Sequence, residues 1–136
     1  MRAPELIEPV DRVERLAATR ISATPASLDA AHWPDGAIVL RTSPDEVIVI
    51  GPVDPSAIDD PHAIVERETS LCAAWVNMPA ARDFLARECG WELPGARPAF
   101  AQGAVAGLPV MLWIEHDRVL FVVPGPFAAD FVERLR

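Results

Sequence analysis

Hydrophobic positions along this chain follow two periods. Short β-branched runs alternate with turn residues, and two stretches take up a helical period immediately after a proline. Residues 37–42 (AIVLRT) and 46–51 (EVIVIG) flank Ser43-Pro44-Asp45, whose turn chemistry predicts a β-hairpin. Residues 53–61 form a loop rich in Pro and Asp, and residues 62–68 begin a new extended segment. The run 70–77 (SLCAAWVN) is apolar on both faces, which predicts a central strand. Asn77 then suits an N-cap, with Pro79 in the first helical turn where its missing N–H does no harm. The helix expected over 79–89 buries Ala81, Phe84 and Leu85, exposes Arg82, Asp83 and Arg87, and stops at Gly90.

Beyond a Pro/Gly loop over 91–98, residues 99–106 read as extended. Residues 109–115 (PVMLWIE) and 118–123 (RVLFVV) form a second hairpin around His116-Asp117. A last helix over 126–135 is expected to turn Phe127, Phe131, Val132 and Leu135 inward. Residues 1–36 read as an irregular N-terminal segment, with a short helix over 11–18 and an extended stretch over 20–24.

The two strand-to-helix transitions match each other at an offset of 47 residues. Val76, Pro79, Asp83, Phe84, Leu85 and Arg87 correspond to Val123, Pro126, Asp130, Phe131, Val132 and Arg134. Internal duplication produces such a match, and so does the general preference for Pro at a helix start. Either way the pattern gives an α+β fold. It predicts one domain over residues 1–136, with a mostly antiparallel sheet built from a hairpin and two β-α units in a split β-α-β arrangement. Both helices are expected on one face.

Composition narrows the chemistry. The chain has 136 residues and a net charge of −8, with twelve cations scattered among twenty acids, the opposite of a phosphate-binding surface. Every cation is Arg, so no Schiff-base or Walker-type lysine exists, and Tyr is absent as well. Mean hydropathy of +0.18 leaves apolar surface for a partner interface, although an alanine-rich composition accounts for it equally. The first sixteen residues lack the apolar core of a signal peptide, and no run is long enough to span a bilayer. A reduced, cytoplasmic protein is expected, with no nucleic-acid or membrane partner.

Candidate chemistry is sparse. Cys72 lies mid-strand and Cys89 at a helix C-terminus, the wrong end of the helix dipole for an activated thiolate; both read as structural. His32, His62 and His116 occupy separate loops without metal-ligand spacing. Asp59-Asp60-Pro61-His62 reads as loop chemistry rather than a cation site. No catalytic residue and no metal site is assigned. Gly103 and Gly107 lack a dinucleotide fingerprint, so no FAD or NAD site is expected in this chain. Trp75 and Trp113 fall on strands and read as core. Trp33 and Trp91 sit in Pro/Gly loops, where an indole either packs on the domain or anchors a partner. With Arg97 they are the candidate interface residues.

Several segments carry a family resemblance. They are Arg41-Thr42-Ser43-Pro44-Asp45-Glu46, then Ala81-Arg82-Asp83-Phe84-Leu85-Ala86-Arg87-Glu88-Cys89 and Glu92-Leu93-Pro94. Gly107-Leu108-Pro109-Val110-Met111-Leu112-Trp113, Asp117-Arg118-Val119-Leu120 and Pro126-Phe127-Ala128 follow in order. This succession resembles the gamma subunit of heterotetrameric sarcosine oxidase and, more distantly, the folate-binding T-protein (aminomethyltransferase) fold. The resemblance implies a non-catalytic accessory subunit of a multi-subunit flavin-dependent amine oxidase. Its larger flavoprotein subunits would carry FAD/FMN and NAD, and tetrahydrofolate would accept the one-carbon unit. The alternative is a free-standing small-molecule domain that binds a folate-like ligand in a cleft lined by Trp33, Trp91 or Arg97. Where T-proteins carry an acidic pair used in folate chemistry, this chain has Gly107-Leu108-Pro109, which points away from aminomethyl transfer. The serine–histidine–glycine start of the family's central strand is likewise replaced, by Glu68-Thr69-Ser70-Leu71-Cys72.

Overall fold

A computed structural model describes residues 13–135. Its strands are β1 (Glu14–Ser22), β2 (Ile38–Ser43), β3 (Glu46–Ile50), β4 (Ile64–Asn77), β5 (Ala99–Val105), β6 (Leu108–Ile114) and β7 (Arg118–Pro124). The helices are α1 (Pro25–Ala30), α2 (Met78–Glu88) and α3 (Ala128–Leu135). The strands share one sheet in the order β2-β3-β1-β4-β7-β6-β5, and the fold is α+β as the pattern predicts. By packing, the described chain divides into two compact units: residues 17–69, and residues 13–16 with 70–135.

The first unit is organised by the 38–50 hairpin. β2 and β3 pair antiparallel from Ile38↔Ile50 to Ser43↔Glu46, and β3 pairs antiparallel with β1 from Thr19↔Val49 to Ser22↔Glu46. Ile21, Leu28, Val47, Val49 and Ile58 form its core. The helix expected over 11–18 is not found: residues 11 and 12 lie outside the described chain, and from Glu14 onward the segment is strand β1. ERLAATR is made largely of good helix formers. Pairing with β3, and burial of Leu16, Ala18 and Ile21, override that preference. The expected irregular segment also contains α1, opened by Thr24, whose hydroxyl accepts from the Ser27 amide at 3.2 Å.

The second unit holds the two β-α units. β4 pairs antiparallel with β7 from Leu71↔Pro124 to Asn77↔Arg118, β7 with β6, and β6 with β5. The extended segment and the central strand expected separately are one 14-residue strand, β4. Asn77 caps α2 as predicted, its side-chain oxygen accepting from the Ala80 amide at 2.8 Å. α2 buries Met78, Ala81, Phe84 and Leu85, and α3 buries Phe131 and Val132. Both lie over Ala74, Val76, Leu112, Val119, Phe121 and Val123 in one core cluster, hence on one face of these strands.

Two local expectations are corrected. The helix ends at Cys89 in extended conformation (φ −105°, ψ 114°) with its N–H bonded to the Leu85 carbonyl, not at a left-handed Gly90. Phe127 is 38% exposed instead of inward, because residues 125–127 form a 3-10 turn before α3 begins. The β5–β6 connection is Ala106-Gly107 at φ 52° and 76°, a pair of positive values that suits the tight turn of a twisted hairpin. The Ala106 N–H donates to the Glu88 carbonyl at 3.0 Å, tying this turn to the end of α2.

Candidate functional site

A pocket of about 270 Å³ opens beside α2 in the second unit. Helical spacing aligns Met78, Arg82 and Leu85, about one turn apart, along one side of α2, and Cys89 follows at its C-cap. Ile114 at the end of β6 and Val119 at the start of β7 complete the apolar lining. The loop after α2 supplies the far wall with Trp91 and Leu93, and Arg97 joins Arg82 as the second cation.

Each wall residue is held. The Trp91 indole N–H donates to the Ala104 carbonyl at 2.8 Å, and its ring lies so close to Gly103 that an added Cβ would meet it at 2.9 Å. The Cys89 thiol donates to the Trp91 carbonyl at 3.3 Å. Arg97 folds back on its own loop, Nη1 donating to the carbonyls of Pro94 (2.7 Å) and Ala96 (2.8 Å). That leaves its Nε and Nη2 as donors.

The structure therefore brings Trp91 and Arg97 together. Trp33 lies elsewhere, half-buried against the core of the first unit. In the sequence Arg82 stands only as an exposed helix position and Leu93 only within the Glu92-Leu93-Pro94 segment, neither marked as a site residue. The i, i+4, i+7 spacing of Met78, Arg82 and Leu85 was the available clue to a shared side of the helix.

A larger depression of about 550 Å³ follows the β5–β6 hairpin, lined by Gln102, Ala104, Pro109, Met111 and Pro124 among others. It contains no charged side chain, so it lacks the convergent groups that orient a ligand. Size and chemistry point to different places, and chemistry favours the pocket beside α2.

Two further polar clusters join residues far apart in the sequence or across a turn. In the first unit Arg20 donates through Nε (3.0 Å) and Nη2 (2.6 Å) to Glu68, and through Nη1 (2.7 Å) to Glu46. In the second, the Arg118 guanidinium carbon stands 3.6 Å from the centroid of the buried Trp75 ring. Glu115 accepts from both Arg118 (2.8 Å) and the Trp113 indole (3.0 Å). In the 54–62 loop, Asp60 uses its carboxylate on the backbone N–H groups of Thr24 and His62, the loop role expected for that acid. Among the described residues no group of three or more His, Cys, Asp or Glu is placed to hold a metal ion.

With the geometry in place, one structural likeness stands out. A chain of the heterotetrameric sarcosine oxidase from Corynebacterium sp. U-96, solved in complex with pyrrole 2-carboxylate, shares this fold. The TM-score is 0.70 at 17% sequence identity, and the match covers 96% of this chain and 85% of that one. At this identity the likeness establishes the fold. No protein-family model matches the sequence, and no curated protein sequence is significantly similar to it.

Proposed function

We propose that this chain is a non-catalytic accessory subunit of a multi-subunit, flavin-dependent amine oxidase of the sarcosine type. The observation that carries the reading is the fold match, nearly complete on both sides, to a chain of a heterotetrameric sarcosine oxidase. Motif order over residues 37–136 supports it independently, since the sequence alone suggested the same family. Leu108, within the stretch where a T-protein carries its acidic pair, is 5% exposed and opens β6, so packing takes the place of proton chemistry there.

In this reading flavin and nicotinamide cofactors reside on larger subunits, and this cytoplasmic chain completes the assembly. Among the described residues no helix is long and apolar enough to cross a membrane. Ile64 (57% exposed), Val65 and Phe127 provide apolar surface for subunit contacts, alongside Trp33, Trp91 and Arg97. The test is gentle affinity purification of the tagged full chain from its native host. Co-elution with larger polypeptides carrying flavin absorbance is expected; recovery of a lone monomer overturns the proposal.

A second reading, a free-standing folate-like binding domain, draws on the meeting of Trp91 and Arg97 at one pocket. The pocket lies just under the ~300–1,000 Å³ range of drug-sized sites, which suits a ring system better than a whole folate. Calorimetry with tetrahydrofolate and the isolated full chain separates the readings, and absence of heat disposes of this one.

A further inference from the structure

The cations of this chain are unevenly satisfied. Among the described residues Arg20, Arg41, Arg118 and Arg134 each pair with a carboxylate, and Arg87 lies over the Phe84 ring. Arg67, Arg82 and Arg97 have no carboxylate partner among those residues, although the chain has twenty acids to twelve cations. Two of these three meet at the pocket beside α2, over a lining of Met78, Leu85, Ile114 and Val119. An apolar lining with two unpaired guanidinium groups is complementary to a ligand with an apolar body and one negative end.

We propose that this pocket binds a small aromatic carboxylate of one or two rings. The ring system would lie against Leu85, Ile114 and Val119 beside the Trp91 indole. The carboxylate would face Arg82 and the free Nε and Nη2 of Arg97. Size sets the upper limit, because about 270 Å³ admits one or two rings and little more. Charge sets the headgroup, because a neutral ligand would leave both cations unpaired while a carboxylate matches the guanidinium fork. Preorganisation favours binding, since Trp91 and Arg97 are already fixed by hydrogen bonds to Ala104, Pro94 and Ala96. All lining residues belong to the second unit, so the pocket is complete within this chain.

The experiment titrates the full chain with benzoate, 1-naphthoate and indole-3-acetate and follows amide and indole N–H resonances by NMR. The Trp91 indole signal is assigned through Trp91→Phe. Naphthalene-1-methanol serves as the neutral twin of 1-naphthoate, and inorganic phosphate as the anion without a ring. The expected result is a saturable shift of the Trp91 indole signal and of amides in 82–97, with 1-naphthoate at least about tenfold tighter than the alcohol. Arg82→Gln and Arg97→Gln should each weaken 1-naphthoate by about tenfold, the loss of one charge-assisted contact. Arg97 also braces its loop, so the exposed Arg82 provides the cleaner variant; its amide spectrum away from the pocket should be unchanged. Three results overturn the proposal: no saturable shift with any carboxylate, equal affinity for the acid and the alcohol, or phosphate binding as tightly as 1-naphthoate.

Discussion

Phe84 of α2 and Phe131 of α3, 47 positions apart, meet edge to face, with ring centroids 5.9 Å apart and planes at 89°. Both rings also touch Phe121 of β7, at 5.7 and 5.5 Å. The offset is the one that relates the two β-α units in sequence. It also maps Ala74 onto Phe121, and these two are direct partners in the β4–β7 ladder. Because the strands are antiparallel, the matched units face each other across a local two-fold running between Ala74 and Phe121. Phe84 and Phe131 are the symmetry-related pair that meets over it.

A double-mutant cycle checks that pair. Phe84→Leu and Phe131→Leu should each cost about 1–3 kcal/mol, since both rings are almost fully buried. The double variant should lose less than the sum, by roughly 0.5–1.5 kcal/mol, the worth of an edge-to-face contact beyond its area. Urea unfolding monitored by circular dichroism measures all three. Strict additivity would mean the rings are neighbours without coupling.

The local patterns were legible in the sequence because each is written in adjacent residues. Ser43-Pro44-Asp45 sets one hairpin, Asn77 and Pro79 set the start of α2, and His116-Asp117 sets the last turn between strands. β1 was not legible. ERLAATR favours a helix, and only its pairing with β3, more than twenty residues away, holds it extended. The candidate site was half legible. Trp91 and Arg97 stood out as large side chains in a Pro/Gly loop. Arg82 did not, because an exposed helical arginine usually just faces solvent, and its place at the pocket depends on where the following loop returns. The Arg20 clamp joins three strands and leaves no local trace at all.

That clamp is asymmetric. Glu68 is 8% exposed and takes two donors of Arg20, whereas Glu46 takes one and is also bonded by the Thr42 hydroxyl at 2.6 Å. The Arg20 guanidinium is held above its ordinary pKa, chiefly by the hydrogen bond to Glu68, and it stays charged throughout. Removing the Glu68 charge therefore leaves this half-buried cation with Glu46 alone to offset it among the ion pairs described. Glu68→Gln should cost about 2–4 kcal/mol and Glu46→Gln about 1 kcal/mol or less. Chemical denaturation of both variants tests the order; an equal loss would contradict the asymmetry.

Asp60 gives the chain an acid-sensitive loop. Its carboxylate accepts the Thr24 N–H at 3.0 Å and the His62 N–H at 2.8 Å, and these bonds hold its pKa below the usual 3.8, that of Thr24 first. A depressed folded pKa adds stability that is fully present above the unfolded value and lost as pH falls through the folded one. Wild type should therefore exceed Asp60→Asn in stability at pH 6, and the gap should close as pH drops below about 4. Thermal melts of the two proteins across that window, with a carboxyl carbon NMR titration, provide the check. A gap that persists unchanged into strong acid would assign the difference to shape instead of charge.

Gly103 links packing to the candidate pocket. A Cβ there would meet Trp91 at Cε2, Nε1 and Cζ2, at 2.9, 3.0 and 3.1 Å, well inside ordinary contact. Gly103→Ala must push the indole away, and with it goes the geometry of the Nε1 bond to Ala104. The cost should be about 1–3 kcal/mol from crowding and the strained hydrogen bond together. Trp91 forms a wall of the pocket, so its emission should shift as the ring moves toward water, and affinity for an aromatic carboxylate should fall in the same variant. Gly95→Ala is the matched control, because a Cβ at Gly95 meets nothing within 4 Å, and its stability should stay within about 0.5 kcal/mol of wild type. If both variants behave alike in stability and emission, the absence of a side chain at Gly103 does not set the position of Trp91.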